Sequence, residues 1–265
     1  MIERLLAADE PAPVTVRNPD GRSPLLLVAD HAGNRFPRAL GRLGVPEHEW
    51  ERHIGWDIGI AGVCHLMADA LDATLIQQNY SRLIVDCNRP PEALTSMPAI
   101  SESTPIPGNA SIDERARAAR VCEIFHPYHN RIAAELDARQ RADRPTTLIA
   151  MHSFTPVFKG TPRPWHVGLL YNRDRRLAGP LLALLERETG LVVGDNEPYS
   201  VSDTTDYTVP VHGERRGLPH IAIEIRQDLI ADGDGQRLWA ARFARLLTRA
   251  ADEMTAAPAA AALAP

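Results

Sequence analysis

Three short apolar runs lack the alternation of polar and apolar residues that marks a sheet with one solvated face. They are SPLLLVAD at 23–30, TLIAM at 147–151 and IAIEI at 221–225. Strands that are apolar on both faces belong to sheets that helices cover on both sides, and such sheets are mostly parallel. Apolar residues at helical spacing predict helices between these runs, at about 58–71, 111–140, 176–189 and 236–254. The pattern predicts a single α/β domain with a mostly parallel sheet.

Weaker signals complete the expected organisation. Short apolar runs predict further strands at 74–76, 83–85 and 167–171. Pro127 is expected to kink the long helix, because a proline ring clashes with the preceding turn. With no internal repeat or linker visible, the domain is expected to occupy residues 1–255, followed by a low-complexity tail at 256–265 that is expected to fray.

Composition argues against several partners. The 265 residues include 29 Lys plus Arg and 34 Asp plus Glu, a net charge of −5 that does not favour nucleic-acid binding. No apolar run approaches the roughly 18 residues of a membrane span, and no export signal is visible. The odd, widely spaced set of Cys64, Cys87 and Cys122 is interpreted as buried free thiols in a reducing cytoplasm. A cytoplasmic enzyme of small metabolites fits these features.

Two histidines follow the ends of two predicted strands. His31 comes after the first buried run and His152 after the second. Open α/β sheets place their ligand crevice at this edge. An isolated histidine in such a position is more often structural, so the pairing of the two is the signal. Imidazole is a common zinc ligand, and a catalytic zinc site needs three protein ligands and an open position for water.

The third ligand has two candidates near His31. Asn34 stands at the spacing of the H-x-x-E motif of zinc peptidases, but its amide is a poor zinc ligand. Asp57, in GWDIG, offers a charged oxygen. It equally suits the start of the following helix, where an acidic side chain interacts favourably with the helix dipole. From the residues alone, both interpretations of Asp57 stay open.

Glu224 is the most unusual acidic residue. It lies within the apolar run IAIEI, where an ionised carboxylate is costly unless a cation or metal accompanies it. It is either a general base beside a metal or the partner of Arg226 or another arginine.

The segment YSRLIVDCNR at 80–89 ends in polar groups suited to binding a carboxylate. Asp86, Asn88 and Arg89 lie together after an apolar run, and a guanidinium matches a carboxylate in shape. These residues are candidates for substrate binding, with a structural salt bridge of Asp86 as the alternative. His212, in an irregular polar stretch at 194–213, is a further candidate for substrate contact. The chain contains no G-x-S-x-G, P-loop or G-x-G-x-x-G motif, so those enzyme classes lack their signature.

Taken in order, the motifs resemble the N-formylglutamate amidohydrolase family. The resemblance spans about residues 20–245. It rests on DHAGN at 30–34, GWDIG at 55–59, YSRLIVDCNRPP at 80–91, PYH at 127–129, MHSF at 151–154 and IAIEIRQD at 221–228. That family is related to the zinc carboxypeptidases and to the aspartoacylase and succinylglutamate desuccinylase group. The resemblance therefore implies a mixed sheet between helices, with a zinc-carboxypeptidase-like (phosphorylase/hydrolase-like) fold.

The resemblance also implies roles for individual residues. His31, Asp57 and His152 match the positions of zinc ligands, with one Zn2+ per chain and other divalent metals as alternatives. Glu224 matches the catalytic glutamate, and Arg82 is expected to stabilise the oxyanion. Asn88 and Arg89 match the substrate-binding pair. The chain departs from the pattern at Asn34, where the related enzymes have a ligand glutamate.

The implied activity is hydrolysis of a small N-acyl amino acid. N-formyl-L-glutamate and water would give formate and L-glutamate. A polar stretch, VSDTTDYTVPVHG at 201–213, replaces a glycine-rich run of the type enzymes. One alternative is therefore a deacylase or carboxypeptidase-like hydrolase of another N-acyl amino acid or a short peptide. A metal-free binding protein on the same fold is the alternative from a different class.

Overall fold

The structure is a computed structural model that describes residues 4–261, with side chains described through residue 256. The strands are β1 Val14–Arg17, β2 Leu25–Ala29, β3 Thr74–Gln78, β4 Ile100–Ser101, β5 Thr104–Pro105, β6 Thr147–Phe154, β7 Val157–Phe158, β8 Thr161–Pro162, β9 Val167–Leu170, β10 Val193–Asp195 and β11 His220–Arg226. The α-helices are α1 Ile60–Leu71, α2 Pro107–Ala110, α3 Glu114–Arg120, α4 His126–Arg141, α5 Ala178–Leu185 and α6 Gly233–Ala261.

Seven strands form one mixed sheet in the order β1-β3-β2-β6-β11-β9-β10. The strands β3, β2, β6 and β11 run parallel, whereas β1 and β9 pair antiparallel with their neighbours β3 and β11. Two short hairpins, β4-β5 and β7-β8, stand outside the sheet. The expected single α/β domain with a mixed, mostly parallel sheet is confirmed.

Helices cover both faces of the sheet, which explains the continuous apolar runs. In β2, Leu25, Leu27 and Ala29 pack into one core with α1, α5 and α6, while Leu26 and Val28 pack into a second core with α4. Every residue of β2 and β6 is buried. None of the helices in residues 4–261 combines the length and apolar character that crossing a membrane requires.

One predicted strand is wrong. Residues 83–85 form an irregular turn beyond the end of β3, in which Ile84 N–H donates to the Ser81 carbonyl at 3.0 Å. The run is apolar because Leu83, Ile84 and Val85 are buried, and burial alone does not distinguish a strand from a packed turn. The turn carries Asp86 toward His31.

Other boundaries differ from the prediction. The strand predicted at 147–151 continues to Phe154, so His152 lies within β6. The helix predicted at 111–140 is divided by a π-helical turn, Val121–Phe125, immediately before the turn that contains Pro127. The helix predicted at 236–254 continues as backbone through Ala261, and residues 262–265 of the predicted tail lie outside the described residues.

The cysteine interpretation needs one correction. All three cysteines are free thiols, and Cys64 and Cys87 are buried as expected, whereas Cys122 is exposed. Cys122 lies in the π-helical turn, whose buried residues are Ile124 and Phe125.

Candidate active site

Two imidazoles and one carboxylate meet at the carboxyl edge of the parallel strands. Oδ2 of Asp57 lies 3.0 Å from Nδ1 of His152 and 3.5 Å from Nδ1 of His31. One ligand atom from each of the three residues lies within 4.8 Å of the others, and all three residues are buried. The structure therefore brings together the three residues expected to bind a metal.

The second nitrogen of each imidazole faces another carboxylate. Nε2 of His31 hydrogen-bonds Oδ1 of Asp86 at 2.7 Å. Nε2 of His152 lies 3.2 Å from Oδ2 of Asp30, whose other oxygen accepts a hydrogen bond from the Thr208 hydroxyl at 2.8 Å. Carboxylates in this position orient metal-binding histidines and raise their basicity. Both imidazoles thus turn the same nitrogen, Nδ1, toward Asp57.

The donor set fits a divalent metal. Nδ1 of His31 is buried and has no hydrogen-bond partner among the described residues. Zinc binds imidazole nitrogen and carboxylate oxygen at about 2.0–2.2 Å, which places neighbouring tetrahedral ligand atoms about 3.3 Å apart. The distances of 3.0 and 3.5 Å from Asp57 to the two histidines agree with this spacing.

Local contacts of the GWDIG segment position Asp57. Its N–H donates to the His31 carbonyl at 2.9 Å, and its Oδ2 accepts from the Ser153 N–H at 3.2 Å. Gly59 has a φ of 80°, and a Cβ there would lie 2.1 Å from the Ile230 carbonyl oxygen. Helix α1 begins only at Ile60, so the carboxylate of Asp57 faces the histidines and does not cap the helix.

The charges of Asp57 and the two histidines shift one another's pKa values. Burial works to raise the pKa of Asp57, but the two imidazoles outweigh it and hold that pKa well below its ordinary value. Burial also opposes the charged form of the imidazoles, yet the surrounding carboxylates raise the pKa of both His31 and His152. The metal-free cluster therefore favours protons on the histidines, and a cation that binds there replaces them.

Glu224 lies beside the histidine group. It pairs in register with His152 on β6 and with Gly168 on β9, which places its side chain on the same face as that of His152. Burial raises the pKa of Glu224 to about 7. Its Oε2 has no hydrogen-bond partner among the described residues. The alternative of an ion pair with Arg226 is not what the structure shows, because Arg226 pairs with Asp228.

Arg82 joins two of the acidic residues. Its guanidinium donates to Oδ2 of Asp86 at 2.6 Å and reaches Oδ1 of Asp57 at 3.4 Å. Arg82, Asp57 and Asp86 all line a cavity of about 720 Å³ that also includes the two histidines. A cation held in this way remains available to a substrate oxygen.

Two of the expected substrate contacts, Asp86 and Asn88, already have protein partners. Asp86 accepts hydrogen bonds from His31, Arg82 and the Asn88 N–H, so its carboxylate orients other residues and is poorly suited to holding an anionic substrate. The Asn88 amide oxygen accepts the N–H groups of Tyr207 and Thr208. Both residues nevertheless line the cavity.

Arg89 and His212 occupy different environments. Arg89 lines the cavity, where it donates to the Thr205 carbonyl and lies 3.8 Å from Asp206. His212 is buried outside the residues that line the cavity, and its Nε2 lies 3.0 Å from Nδ1 of His129. The expectation that His212 contacts substrate therefore disagrees with its position in the structure.

Two residues near the site were missed by the sequence analysis. Asp30 directly precedes His31 at the strand end, and this adjacency was the available signal. Tyr199 lines the cavity with Arg82 and Glu224, but it lies in an irregular stretch with no pattern. The side-chain amide of Asn34, which was judged a poor ligand, donates to the Trp50 carbonyl. Asn34 is not part of the group of His31, Asp57 and His152.

The histidine group and Glu224 line a cavity of about 720 Å³. Residues from β6, β11 and the turn after β3 form its floor, and the β4-β5 and β7-β8 hairpins contribute to its walls. A concave site with a few convergent polar groups is the usual setting for binding a small molecule.

Fold and site together define an α/β domain with a candidate metal centre at the carboxyl edge of its sheet. The chain belongs to the N-formylglutamate amidohydrolase family, whose sequence model matches residues 23–231. The N-formylglutamate deformylase of Pseudomonas aeruginosa is 32% identical over 135 residues, which cover 46% of this chain and 48% of that protein. The match thus spans about half the length of this curated relative.

Solved structures show the same fold. The crystal structure of gene product Atu2144 from Agrobacterium tumefaciens superposes with a TM-score of 0.92 at 37% identity, covering 95% of this chain and 100% of that one. The N-formylglutamate amidohydrolase from Ralstonia eutropha JMP134 superposes with a TM-score of 0.60 at 20% identity, covering 90% and 99%. At 20% identity this second likeness concerns the fold alone.

Proposed function

We propose that the protein is a metal-dependent amidohydrolase that cleaves the amide of a small N-acyl amino acid. The first candidate substrate is N-formyl-L-glutamate, which with water gives formate and L-glutamate. The observation that carries the proposal is the meeting of His31, Asp57 and His152 beside Glu224 in one cavity. Family membership supports the same chemistry.

His31, Asp57 and His152 would hold one divalent metal, with zinc as the first candidate. Such an ion polarises a carbonyl oxygen and makes water a stronger acid. The carboxylates of Asp86 and Asp30 would fix the two imidazoles so that Nδ1 of each stays directed at the ion.

Glu224 would act as the general base. Its buried carboxylate accepts a proton from the water that attacks the acyl carbonyl. The same carboxyl group then gives that proton to the nitrogen of the departing amine, so Glu224 ends the reaction ionised. Burial raises the pKa of Glu224 in the metal-free protein, and a carboxylate in such surroundings is a stronger base than an exposed one.

Two arginines would act on the substrate. Arg82 reaches the cavity beside Asp57 and would donate a hydrogen bond to the carbonyl oxygen as negative charge develops on it. Arg89, at the side of the same cavity, would bind the α-carboxylate of the amino acid. Asn88 would help indirectly, because its amide fastens residues 206–208 next to Arg89.

We also propose that the enzyme works in the cytoplasm, since its cysteines are free thiols.

The test is hydrolysis by the purified protein after loading with zinc. Formate and L-glutamate should appear in equal amounts from N-formyl-L-glutamate, and the Asp57→Asn variant should release neither above background. Acetate or succinate release from N-acetyl-L-glutamate and N-succinyl-L-glutamate compares other acyl groups. A zinc-loaded, folded protein that hydrolyses neither these amides nor an N-acyl amino acid with an aliphatic chain would contradict the proposal and favour a binding protein.

A further inference from the structure

The cavity is larger than the first candidate substrate needs. Its volume of about 720 Å³ lies within the roughly 300–1,000 Å³ that enclose ligands of drug size. N-formyl-L-glutamate is a much smaller molecule. A second cavity of about 700 Å³ adjoins the first, since His53, Glu102 and Thr155 line both. Much of this space would stay empty around N-formyl-L-glutamate.

Exposed apolar side chains gather at the opening. Ile100, on the β4-β5 hairpin, is 62% exposed, and Tyr199 is 41% exposed, and both line the cavity. Val157, on the β7-β8 hairpin, is 48% exposed and lines the adjoining cavity. Among the described residues, Leu66, Leu94, Val192 and Leu238 are exposed to a similar degree and line neither cavity. Concentrations of exposed apolar surface mark binding sites.

One wall of the opening is held in a fixed arrangement. The guanidinium carbon of Arg163 lies 4.5 Å from the centre of the Phe158 ring and 4.7 Å from that of Tyr199. Its Nη1 also donates to the Tyr199 hydroxyl at 2.7 Å. Arg163 itself is buried. Because Arg163 is clamped between the two rings, the apolar wall exists before a ligand arrives, which lowers the entropic cost of binding.

The charges in the cavity do not favour a second acidic group on the substrate. Arg82 is paired with Asp86 and Asp57, and Arg89 is close to Asp206. Glu102, which also lines the cavity, is paired with Arg52 and lies 3.4 Å from His53. The α-carboxylate would occupy Arg89 and the carbonyl oxygen Arg82, and these are the two arginines among the described residues that line this cavity, while Lys159 lines the adjoining one.

We propose that the opening formed by Ile100, Phe158 and Tyr199 is a subsite for an apolar group. The preferred substrate is then an N-acyl amino acid that carries an aliphatic chain of several carbons, either as its acyl group or as its side chain. This inference rests on the proposed function and names the substrate class of the same site. Burial of the chain against the three side chains supplies binding energy that N-formyl-L-glutamate lacks.

Three substrates separate the possibilities. N-formyl-L-glutamate leaves the subsite empty, N-formyl-L-leucine carries the aliphatic chain on the amino acid, and N-hexanoyl-L-glutamate carries it on the acyl group. With the zinc-loaded protein, kcat/KM for at least one aliphatic substrate should exceed that for N-formyl-L-glutamate by about tenfold. The better of the two identifies which half of the substrate enters the subsite.

A matched pair of variants tests the position of the subsite. Ile100→Ser removes an exposed apolar side chain at the opening, and Leu238→Ser removes one on α6, where Leu238 is 58% exposed and lines neither cavity. Ile100→Ser should lower the ratio of kcat/KM for the aliphatic substrate to that for N-formyl-L-glutamate by about tenfold, mainly through KM. Leu238→Ser should leave the ratio unchanged.

The outcomes distinguish this inference from the proposed function. Efficient cleavage of N-formyl-L-glutamate with no preference for either aliphatic substrate, or an unchanged ratio in Ile100→Ser, overturns the subsite and leaves the amidohydrolase intact. Absence of any hydrolysis overturns the proposed function. In that case, calorimetric titration of the same three compounds tests the subsite. An aliphatic compound that binds more tightly than N-formyl-L-glutamate, with an affinity that Ile100→Ser lowers, supports the subsite. Equal affinities for all three compounds refute it.

Discussion

Oδ2 of Asp57 lies 3.0 Å from Nδ1 of His152, although 95 positions separate the two residues in the sequence. The contact joins the segment before α1 to the end of β6. It depends on the parallel arrangement of β2 and β6, whose carboxyl ends meet at one edge of the sheet. The proposed metal site is therefore a property of the tertiary fold, and single substitutions can test it.

The first prediction concerns metal content. The purified protein is expected to bind about one zinc ion per chain, and zinc at 100 times its Kd should stabilise the fold by about 2.7 kcal/mol. Asp57→Asn should lose most of this binding because it removes the charged ligand. His48→Ala, at an exposed histidine, is the control and should bind zinc normally. Elemental analysis and thermal unfolding measure both effects, and equal zinc content in all three proteins would refute the site.

The second prediction separates metal binding from proton transfer. Glu224→Gln should keep its zinc, because Glu224 is not in the ligand group, but its kcat should fall by about 100- to 10,000-fold. Zinc content and kcat are measured on the same preparation. Normal turnover by a zinc-loaded Glu224→Gln variant would reject the general-base assignment.

The third prediction is a pH dependence of stability in the metal-free protein. Glu224 has an ordinary pKa of 4.5 and a folded-state pKa of about 7. Between these values the folded protein keeps a proton that the unfolded chain has lost, so the free energy of unfolding decreases as pH rises. The loss at pH 8 is about 3 kcal/mol, because each pH unit between the two pKa values corresponds to about 1.4 kcal/mol.

Glu224→Gln removes this titration. Measured by urea unfolding in the presence of a chelator, the variant should be more stable than the wild type at pH 8, with the difference disappearing below about pH 4.5. A difference that does not vary with pH would mean that Glu224 is ionised in the folded, metal-free protein.

The fourth prediction concerns substrate anchoring. Arg89→Ala should raise KM by about tenfold or more with little change in kcat, because it removes a contact made equally in the ground state and the transition state. Arg141→Ala, at an exposed position at the end of α4, is the matched control. An equal fall in kcat and kcat/KM for Arg89→Ala would instead place Arg89 at the reacting atoms.

The fifth prediction concerns the support of His152. Asp30→Asn removes the negative charge that faces Nε2 of His152 and should weaken zinc binding by about 10- to 100-fold. Thr208→Val, which deletes the hydroxyl that donates to Asp30, should have a smaller effect in the same direction. Thr248→Val on the exposed side of α6 should have none. Zinc titration with a competing chelator gives the three affinities, and an unaltered affinity in Asp30→Asn would remove Asp30 from the site.

The sequence was informative about the central strands of the sheet, which are buried on both faces. The strands β2, β6 and β11 were found because residues such as Leu26 and Leu27 are buried on opposite faces of the sheet, which leaves no polar position in the run. Since parallel strands end at a common edge, the positions of His31 and His152 after two such runs were enough to predict that they meet. Glu224 was noticed because it is an acidic residue within the otherwise apolar run of β11.

The sequence did not reveal the contacts made by side chains that irregular segments carry. The turn at 83–85 has the apolar composition of a strand, and only the structure shows that it carries Asp86 to Nε2 of His31. Of the two interpretations of Asp86, the structure shows the salt bridge, with Arg82, and adds a hydrogen bond to His31 that the sequence did not indicate. His212 is a candidate for substrate contact from a stretch that the sequence shows as irregular, whereas in the structure a π-helical turn, Val209–Gly213, buries it against His129.

The register between β6 and β11 has a consequence for how such a chain can diverge. Glu224 and His152 are bridged by backbone pairing, so their separation does not depend on the identity of neighbouring side chains. A slip by one residue would send Glu224 into the opposite core, and selection against such slips is severe. The hairpins that shape the opening carry no such constraint. Changes in the β4-β5 and β7-β8 hairpins would therefore reshape the cavity without altering the pairing of Glu224 with His152.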